Sequence, residues 1–216
     1  MRQSGVLTEL HANVFSKVTK HADIFGELWE FQMASVPVSL DVRTVVVLQH
    51  HKRILLLQRA EWKKFAPGRW TGLGGKVEPH ELGDLVNAAT REMFEETDLK
   101  PHEVSPLQVR RFLSFYHPIE QGISLVYLTG TTASDRLPVC NEGTLHWLYP
   151  HELANLDVIE NTAHVLPRLI HDIRTHDQRV HCGVAEYEAD GRLRAVNFPF
   201  DVGTYSGLDT SNSEGI

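Results

Sequence analysis

The 216-residue sequence has few cysteines, no block of basic residues and no long apolar run. Its two cysteines, Cys140 and Cys182, lie far apart and outside any metal-ligand spacing. Such scarcity argues against a disulfide framework and is typical of proteins in a reducing compartment. We therefore expect a cytoplasmic protein in which both cysteines simply fill space.

Net charge and hydropathy limit the kinds of partner that the protein is expected to bind. The formal net charge is −7, and the lysines and arginines are scattered along the chain. A surface for duplex nucleic acid would be basic, so none is expected. No stretch approaches the roughly 20 apolar residues that cross a bilayer, and the opening MRQSGVLTEL lacks the apolar core of a signal peptide. The sequence predicts no membrane partner, and a polyanionic small substrate would need a metal ion to screen it.

Hydrophobic patterning divides the chain into three parts. Residues 1–40 show no clean period and are interpreted as an N-terminal extension of unassigned role. Residues 41–200 are predicted to form one domain. The segment 201–216 is rich in Gly, Ser, Thr and Asp, which is typical of a flexible tail.

Strands outnumber helices in the predicted domain. A helix is predicted from just after Gly83 to near Thr97, and a second from Glu160 to about Arg174. Asp190-Gly191 is predicted to turn a late hairpin within GVAEYEADGRLRAVNF. Apolar and β-branched runs predict the other strands: Thr44–Leu48, Ile54–Leu57, Val109–His117, Ile123–Thr131 and Thr144–Tyr149.

Three glutamates crowd one part of the first predicted helix. Glu92, Glu95 and Glu96 are spaced i, i+3 and i+4, so their carboxylates share one face, where like charges cost helix stability. Arg91 lies four residues before Glu95 and can pair with it. Taken alone, the cluster is also typical of a solvated helix face.

A glycine-rich stretch just upstream favours a binding site over a solvated helix face. GLGGKVEP, which begins at Gly72, lets backbone amides and carbonyls approach an ion or a phosphate closely. Carboxylate and carbonyl oxygens are the ligands that Mg²⁺ and Mn²⁺ prefer. The loop and the helix together predict a site for Mg²⁺, with Mn²⁺ as the alternative ion.

The stretch GLGGKVEPHELGDLVNAATREMFEETDL resembles the signature of the Nudix hydrolases, G-x5-E-x7-R-E-U-x-E-E-x-G-U, with U aliphatic. The matching positions are Gly75, Glu81, Arg91, Glu92, Met93, Glu95, Glu96 and Leu99. Two departures stand out: nine residues rather than seven separate Glu81 from Arg91, and Asp98 replaces the last glycine. We expect the longer loop to carry Glu81 away from Arg91, and Asp98 to end the helix in a left-handed conformation.

The resemblance covers roughly residues 41–200. It is strongest to the branch that hydrolyses oxidised purine nucleoside triphosphates, through GRWTGLGGKV and the closing hairpin. It implies an α/β fold, a Nudix α/β/α sandwich with a mixed central sheet. The implied activity is Mg²⁺-dependent cleavage of nucleoside triphosphates, such as 8-oxo-dGTP, to a monophosphate and pyrophosphate.

The resemblance also implies roles for individual residues near the metal. The glutamates Glu92, Glu95 and Glu96 would hold the ions together with the carbonyl of Gly74, and Arg91 would orient them. The general base is Glu92 or Glu142, between which the sequence does not choose. Glu142 is equally explained as a surface carboxylate at the entry to a strand.

A second set of residues would contact substrate. The candidates are phosphate-binding cations, base-reading polar groups and aromatic walls: Arg59, Lys76, Thr71, Glu160, Asn161, Thr162, Trp70 and Phe65. Arg59 and Lys76 are alternatively surface cations, and the two aromatics alternatively belong to the core. Thr71 departs from the amide expected in this branch, which weakens the case for oxidised guanine.

Other functions remain open at this point. The same chemistry would serve on a nucleotide sugar or a dinucleoside polyphosphate. A non-catalytic nucleotide sensor and a structural domain with an acidic helix are further alternatives, and either a monomer or a homodimer fits. None of the 13 histidines shows an H-x-x-x-H spacing, and His50 and His51 are expected to be exposed at a hairpin turn.

Overall fold

The computed structural model describes residues 39–117 and 121–201. Residues 1–38 of the predicted extension and residues 202–216 of the predicted tail lie outside the described residues. Within them are two α-helices, α1 (Leu85–Glu96) and α2 (Glu160–Thr175). The strands are β1 (Leu40–His50), β2 (Arg53–Arg59), β3 (Trp70–Thr71), β4 (Gln108–His117), β5 (Gln121–Thr131), β6 (Gly143–Leu148), β7 (His181–Tyr187) and β8 (Leu193–Asn197).

The strands form one mixed sheet. Its order is β3-β2-β1-β5-β4-β7-β8, and β6 pairs with β2. The pairs β1–β5 and β4–β7 are parallel, and the other pairs of neighbouring strands are antiparallel. The mixed sheet confirms the predicted fold class.

Both faces of the sheet are covered by a helix. Along β1, Val45 and Val47 belong to the apolar cluster that includes α2, whereas Val46 and Leu48 belong to the cluster that includes α1. A strand covered on both faces reads as a continuous apolar run, which explains the VVVL of this segment. The α/β/α arrangement is therefore the predicted sandwich.

Helix α1 begins and docks as its sequence indicates. The Asp84 side chain caps it by accepting a hydrogen bond from the Asn87 amide at 3.0 Å. Ala89 and Met93 are buried on the sheet-facing side, four residues apart. The charged positions between them face the other way, and this leaves the acidic face free for chemistry.

The glycine-rich segment lies between β1 and β2. These strands pair only near their shared turn; farther along, β2 pairs with β3, which directly precedes the segment, and β1 bonds to the segment itself. Leu73 exchanges backbone hydrogen bonds with Val46 in both directions, at 2.6 and 3.0 Å. The Thr44 amide donates to the Gly75 carbonyl at 2.8 Å. The segment is thereby fixed to the centre of the sheet through its backbone.

Two local expectations were wrong. His50 is buried rather than exposed, because its Nδ1 lies 3.0 Å from the Thr132 carbonyl oxygen, and only His51 is exposed. Asp98 does not adopt a left-handed conformation; within the described chain, His51, Ala66 and His176 are the non-glycine residues with positive φ. Helix α1 instead ends at Thr97, an extended residue whose side chain donates to the Met93 carbonyl.

Both cysteines are free thiols. Among the described residues, no helix combines the length and apolar character needed to cross a membrane.

Candidate active site

One edge of α1 meets the glycine-rich segment and forms the acidic end of a cavity. The Glu96 carboxylate accepts a hydrogen bond from the Gly74 amide at 2.9 Å. Burial, together with the neighbouring carboxylates Glu142 and Glu92 and against the effect of that bond, raises the pKa of Glu96 to about 7. Burial also raises the pKa of Glu92. Carboxylates are therefore crowded at this end of the cavity.

Glycine is required at two positions of the segment. Gly74 has φ of +122°, a conformation that side chains rarely adopt. At Gly75, a Cβ atom would collide with the Glu92 carboxylate. The missing side chains let the helix carboxylates approach the backbone of the segment.

Arg91 orients the carboxylates around it. Its Nη1 donates to Glu92 and to Glu95, each at 2.9 Å, and its Nη2 donates to the Lys76 carbonyl at 3.2 Å. Its Nε and Nη2 also donate to the two oxygens of Glu81, at 2.7 and 2.8 Å. One guanidinium thus joins the glycine-rich segment to the acidic face of α1.

The structure corrects the expectation that Glu81 lies away from Arg91. The added length lies after Glu81, in the bend between the 3-10 turn Pro79–Glu81 and α1, where the Asp84 amide donates to the Glu81 carbonyl at 2.8 Å. Glu81 is buried, and the hydrogen bonds from Arg91 lower its pKa to about 2. The insertion changes the path of the chain but keeps the ion pair.

Glu142 reaches the acidic end from just before β6. Its backbone carbonyl accepts from the Ala60 amide at 2.9 Å, which ties it to the loop after β2. Its carboxylate forms an ion pair with Lys63 of the same loop. Both side chains are mostly shielded, with 19% of Lys63 and 23% of Glu142 exposed. An ammonium group therefore lies beside the carboxylates in this structure.

The cavity has a volume of about 740 Å³. Most of the predicted site residues line it, namely Arg59, Thr71, Gly74, Lys76, Glu92, Glu96, Glu142, Glu160 and Asn161. Three do not. Arg91 lies outside the cavity lining and contacts the carboxylates through its ion pairs. The side chain of Glu95, one of its partners, is 57% exposed. Trp70 packs against the core with its ring 5.0 Å from that of His146, whereas Phe65 does line the cavity.

Several lining residues were not identified from the sequence. They are two cations, three ring-bearing residues of β4 and β7, and a glycine of the turn between β7 and β8: Arg43, Arg69, Phe115, His117, Tyr187 and Gly191. Arg69 directly precedes Trp70 in the quoted GRW motif, and Gly191 lies in the predicted hairpin turn. Arg69 and Gly191 thus lay in motifs that the sequence showed, but only the pairing of distant strands brings all six residues to one cavity.

The far end of the cavity is built at the start of α2. Backbone hydrogen bonds hold this start against β3, because the Trp70 amide donates to the Asp157 carbonyl and the Ile159 amide donates to the Trp70 carbonyl. Asn161 follows in the first turn of α2 and is only 8% exposed. The Tyr187 hydroxyl donates to its Oδ1 atom at 2.7 Å. A buried amide thus faces the same cavity as the carboxylates.

The acidic end fits a divalent ion. Glu92, Glu96 and Glu142 offer hard carboxylate oxygens, and the carbonyl of Gly74 adds a neutral oxygen. The ligand atoms of the cavity carboxylates do not all lie within 4.8 Å of one another; the described residues that do so form a different group, Asp172, Asp177 and His181. Its carboxylates already bind the guanidiniums of Arg111 and Arg179. The acidic end of the cavity is therefore the better metal candidate.

Comparison with known proteins gives the family. Residues 39–169 match the NUDIX domain. The fold is similar to the MutT protein from Bacillus halodurans at 21% identity, covering 75% of this chain and 99% of that chain with a TM-score of 0.57. It is also similar to the MutT protein from Methanosarcina mazei Go1 at 17% identity, covering 67% and 100%, with a TM-score of 0.51. The chain therefore belongs to the Nudix family and is a pyrophosphohydrolase.

Proposed function

We propose that the protein hydrolyses nucleoside triphosphates, including oxidised purines such as 8-oxo-dGTP, to a monophosphate and pyrophosphate. One observation carries the proposal: a single cavity is lined by carboxylates at one end and a buried amide at the other, together with four cationic side chains. The cations are Arg43, Arg59, Arg69 and Lys76. That combination suits a ligand with a metal-bound polyphosphate and a polar base.

The proposed metal site uses Glu92, Glu95, Glu96 and the Gly74 carbonyl. A bound divalent ion neutralises charge that develops on the phosphate oxygens and lowers the pKa of water. Gly74 also supplies the amide that orients Glu96, while Arg91 orients Glu92. Glu95 would take part by releasing its own bond to Arg91. Glu92 or Glu142 would accept the proton of the attacking water.

The proposed phosphate contacts are Arg59 and Lys76, and Arg43 and Arg69 are additional candidates. Arg59 is held by a hydrogen bond from its Nε to the Phe65 carbonyl at 3.0 Å, and this keeps the guanidinium near the cavity.

The proposed base contacts are Thr71, Glu160 and Asn161. Of the two aromatic residues considered, Phe65 is proposed as the aromatic wall, since its half-exposed ring lines the cavity.

The test is metal-dependent product release across a substrate panel. Ordinary and oxidised nucleoside triphosphates, nucleotide sugars and dinucleoside polyphosphates would be incubated with Mg²⁺ and the products identified. Release of monophosphate and pyrophosphate from a triphosphate is expected, with base preference given by the ratios of kcat/KM. Turnover confined to a nucleotide sugar or a dinucleoside polyphosphate would replace the proposed substrate. Nucleotide binding without turnover would indicate a sensor.

A variant pair tests the metal site itself. Glu95→Gln with Glu96→Gln should lower kcat by at least about 100-fold, because ligand oxygens lose their charge. Glu186→Gln, at an exposed position of β7 next to Arg194, is the matched control and should retain full activity. Unchanged turnover in the double variant would rule out the site.

A further inference from the structure

The β7–β8 hairpin supplies part of the cavity wall. It lies beyond residues 39–169, which match the family domain. Strand β7 pairs in parallel with β4 from Arg111–His181 to Ser114–Val184, so the hairpin extends the sheet. The extension brings Tyr187 and Gly191 to the cavity. This chain thus has a wall that the matched domain does not include.

The Tyr187 ring packs against two rings of β4. Its centroid lies 5.1 Å from that of Phe115 and 4.9 Å, edge-on, from that of His117. Both neighbours also line the cavity. These contacts restrict the ring, so the position of its hydroxyl is fixed relative to α2.

The Tyr187 hydroxyl determines what Asn161 can offer a ligand. It donates to Asn161 Oδ1 at 2.7 Å, and a phenol donates a hydrogen bond more readily than it accepts one. The amide oxygen is therefore engaged, while the amide nitrogen still carries two N–H donors. No described residue accepts a hydrogen bond from that nitrogen. The described buried polar atoms without a partner are Asp41 Oδ1 and His146 Nε2, so the Asn161 nitrogen opens into the cavity and can donate to a ligand acceptor there.

We propose that Tyr187 is a positioning residue that makes Asn161 a donor toward the nucleobase. The site would then select bases that present a carbonyl oxygen to Asn161 over bases that present an amino group there. Glu160, the preceding residue, adds a carboxylate acceptor to the same cavity. A carbonyl beside a ring N–H, as in a 6-oxopurine, complements this donor and acceptor pair. This inference rests on the proposed function, since it requires a nucleoside triphosphate in the cavity.

The test compares inosine and adenosine triphosphates, which differ in the donor and acceptor pattern at positions 6 and 1 of the purine. The wild type should favour the inosine substrate in kcat/KM by at least about tenfold, because a buried polar group left unpaired penalises the wrong base. Tyr187→Phe frees the amide to turn and should reduce this preference by about tenfold, mainly through KM for the inosine substrate.

Two further variants separate positioning from structure. Tyr116→Phe, on the same sheet and 67% exposed, is the matched control and should leave the preference unchanged. Asn161→Asp replaces the donor with an acceptor while keeping an oxygen for Tyr187, and it should shift the preference toward the adenosine substrate. Thermal melting of each variant shows whether the fold is retained.

The outcomes distinguish this inference from the proposed function. If the wild type hydrolyses both substrates and Tyr187→Phe leaves their ratio unchanged, the positioning role is overturned and the proposed function stands. If the wild type neither binds nor hydrolyses any nucleoside triphosphate, both are overturned. A reduced ratio in Tyr187→Phe, with Tyr116→Phe unaffected, supports the inference.

Discussion

Protonation of Glu81 at low pH should lower the stability of the fold. Its hydrogen bonds to Arg91 hold its pKa near 2, below the ordinary value of 4.5. A carboxyl whose pKa is lowered by folding stabilises the protein above its unfolded pKa, and this contribution is lost as the pH falls toward the folded pKa. Glu81→Gln should therefore be less stable than the wild type near neutral pH, and the difference should shrink between about pH 4.5 and pH 2.

Denaturant unfolding over that pH range, on both proteins, would measure the difference. Glu188→Gln, on the exposed hairpin, provides the comparison for loss of a surface carboxylate. A difference between wild type and Glu81→Gln that does not change with pH would contradict the ion pair described for Glu81.

Lys63 should compete with a divalent ion for Glu142. Its ammonium forms the ion pair with Glu142 and also lowers the pKa of Glu96 in part, so it lies close to both carboxylates. Removing this charge in Lys63→Met should tighten Mn²⁺ binding by roughly three- to tenfold, since a neighbouring cation repels the metal. Calorimetric titration of the metal alone gives the affinity.

The adjacent lysine is the natural control for this prediction. Lys64 is exposed and forms no ion pair in the described structure, so Lys64→Met should bind Mn²⁺ as the wild type does. In a Glu142→Gln background, Lys63→Met should have little further effect. Weaker Mn²⁺ binding in Lys63→Met would show that the ammonium supports the metal site instead.

At the level of single residues, the sequence predicted chemistry better than location. The i, i+3, i+4 spacing correctly brought Glu92 and Glu96 to one face. Trp70 was predicted as an aromatic wall of the cavity, with a place in the core as the alternative. It packs against the core, because alternate residues of a strand face opposite sides. Tyr187 carries no local signal, because its role depends on β7 lying beside β4.

The glycine-rich segment is the element on which the acidic end depends. Gly75→Ala should lower kcat/KM by about 10- to 100-fold, because the added methyl group displaces the Glu92 carboxylate from the backbone. Gly83→Ala is the matched control, since a Cβ atom there would meet nothing within 4 Å. Steady-state kinetics on both variants, with circular dichroism to check folding, would test this. Equal activity of the two would contradict the close approach of Glu92.

Element types were largely predictable, whereas their order in the sheet was not. Apolar runs predicted the long strands, and Gly83 with Thr97 bracketed α1 because caps and turns leave local signals. Strand β3 has only two residues and was not predicted as a strand, since its pairing partners on β2 lie outside its own sequence window. The burial of His50 likewise follows from a contact with distant Thr132.

A buried ionic cluster connects the C-terminal part of the molecule. Arg111 on β4 is fully buried and donates to both oxygens of Asp172 on α2, at 2.7 and 2.8 Å. It also donates to Asp201, which accepts from Arg168 of α2 and lies 3.0 Å from a ring nitrogen of His181. Opposite charges satisfy one another here, so α2, β7 and the chain after β8 share one set of contacts.

Arg111→Met should destabilise the whole domain. Removing one partner of a buried ion pair leaves uncompensated charge and costs about 3–5 kcal/mol. Arg192→Met, which removes an exposed pair with Asp190, should change the free energy of unfolding by less than about 0.5 kcal/mol. Urea denaturation would measure both. A small effect at Arg111 would indicate that water or a neighbouring group compensates the two aspartates.

The bend before α1 also affects how relatives of this protein are found. Because the bend between Glu81 and α1 absorbs two extra residues, a pattern that counts a fixed distance from Gly75 to Arg91 would pass over this chain. The ion pair between Glu81 and Arg91 survives that change in length. Genome searches should therefore let the length of this bend vary. Protein engineers, for the same reason, have a place to insert residues at Leu82 and Gly83 without moving the carboxylates.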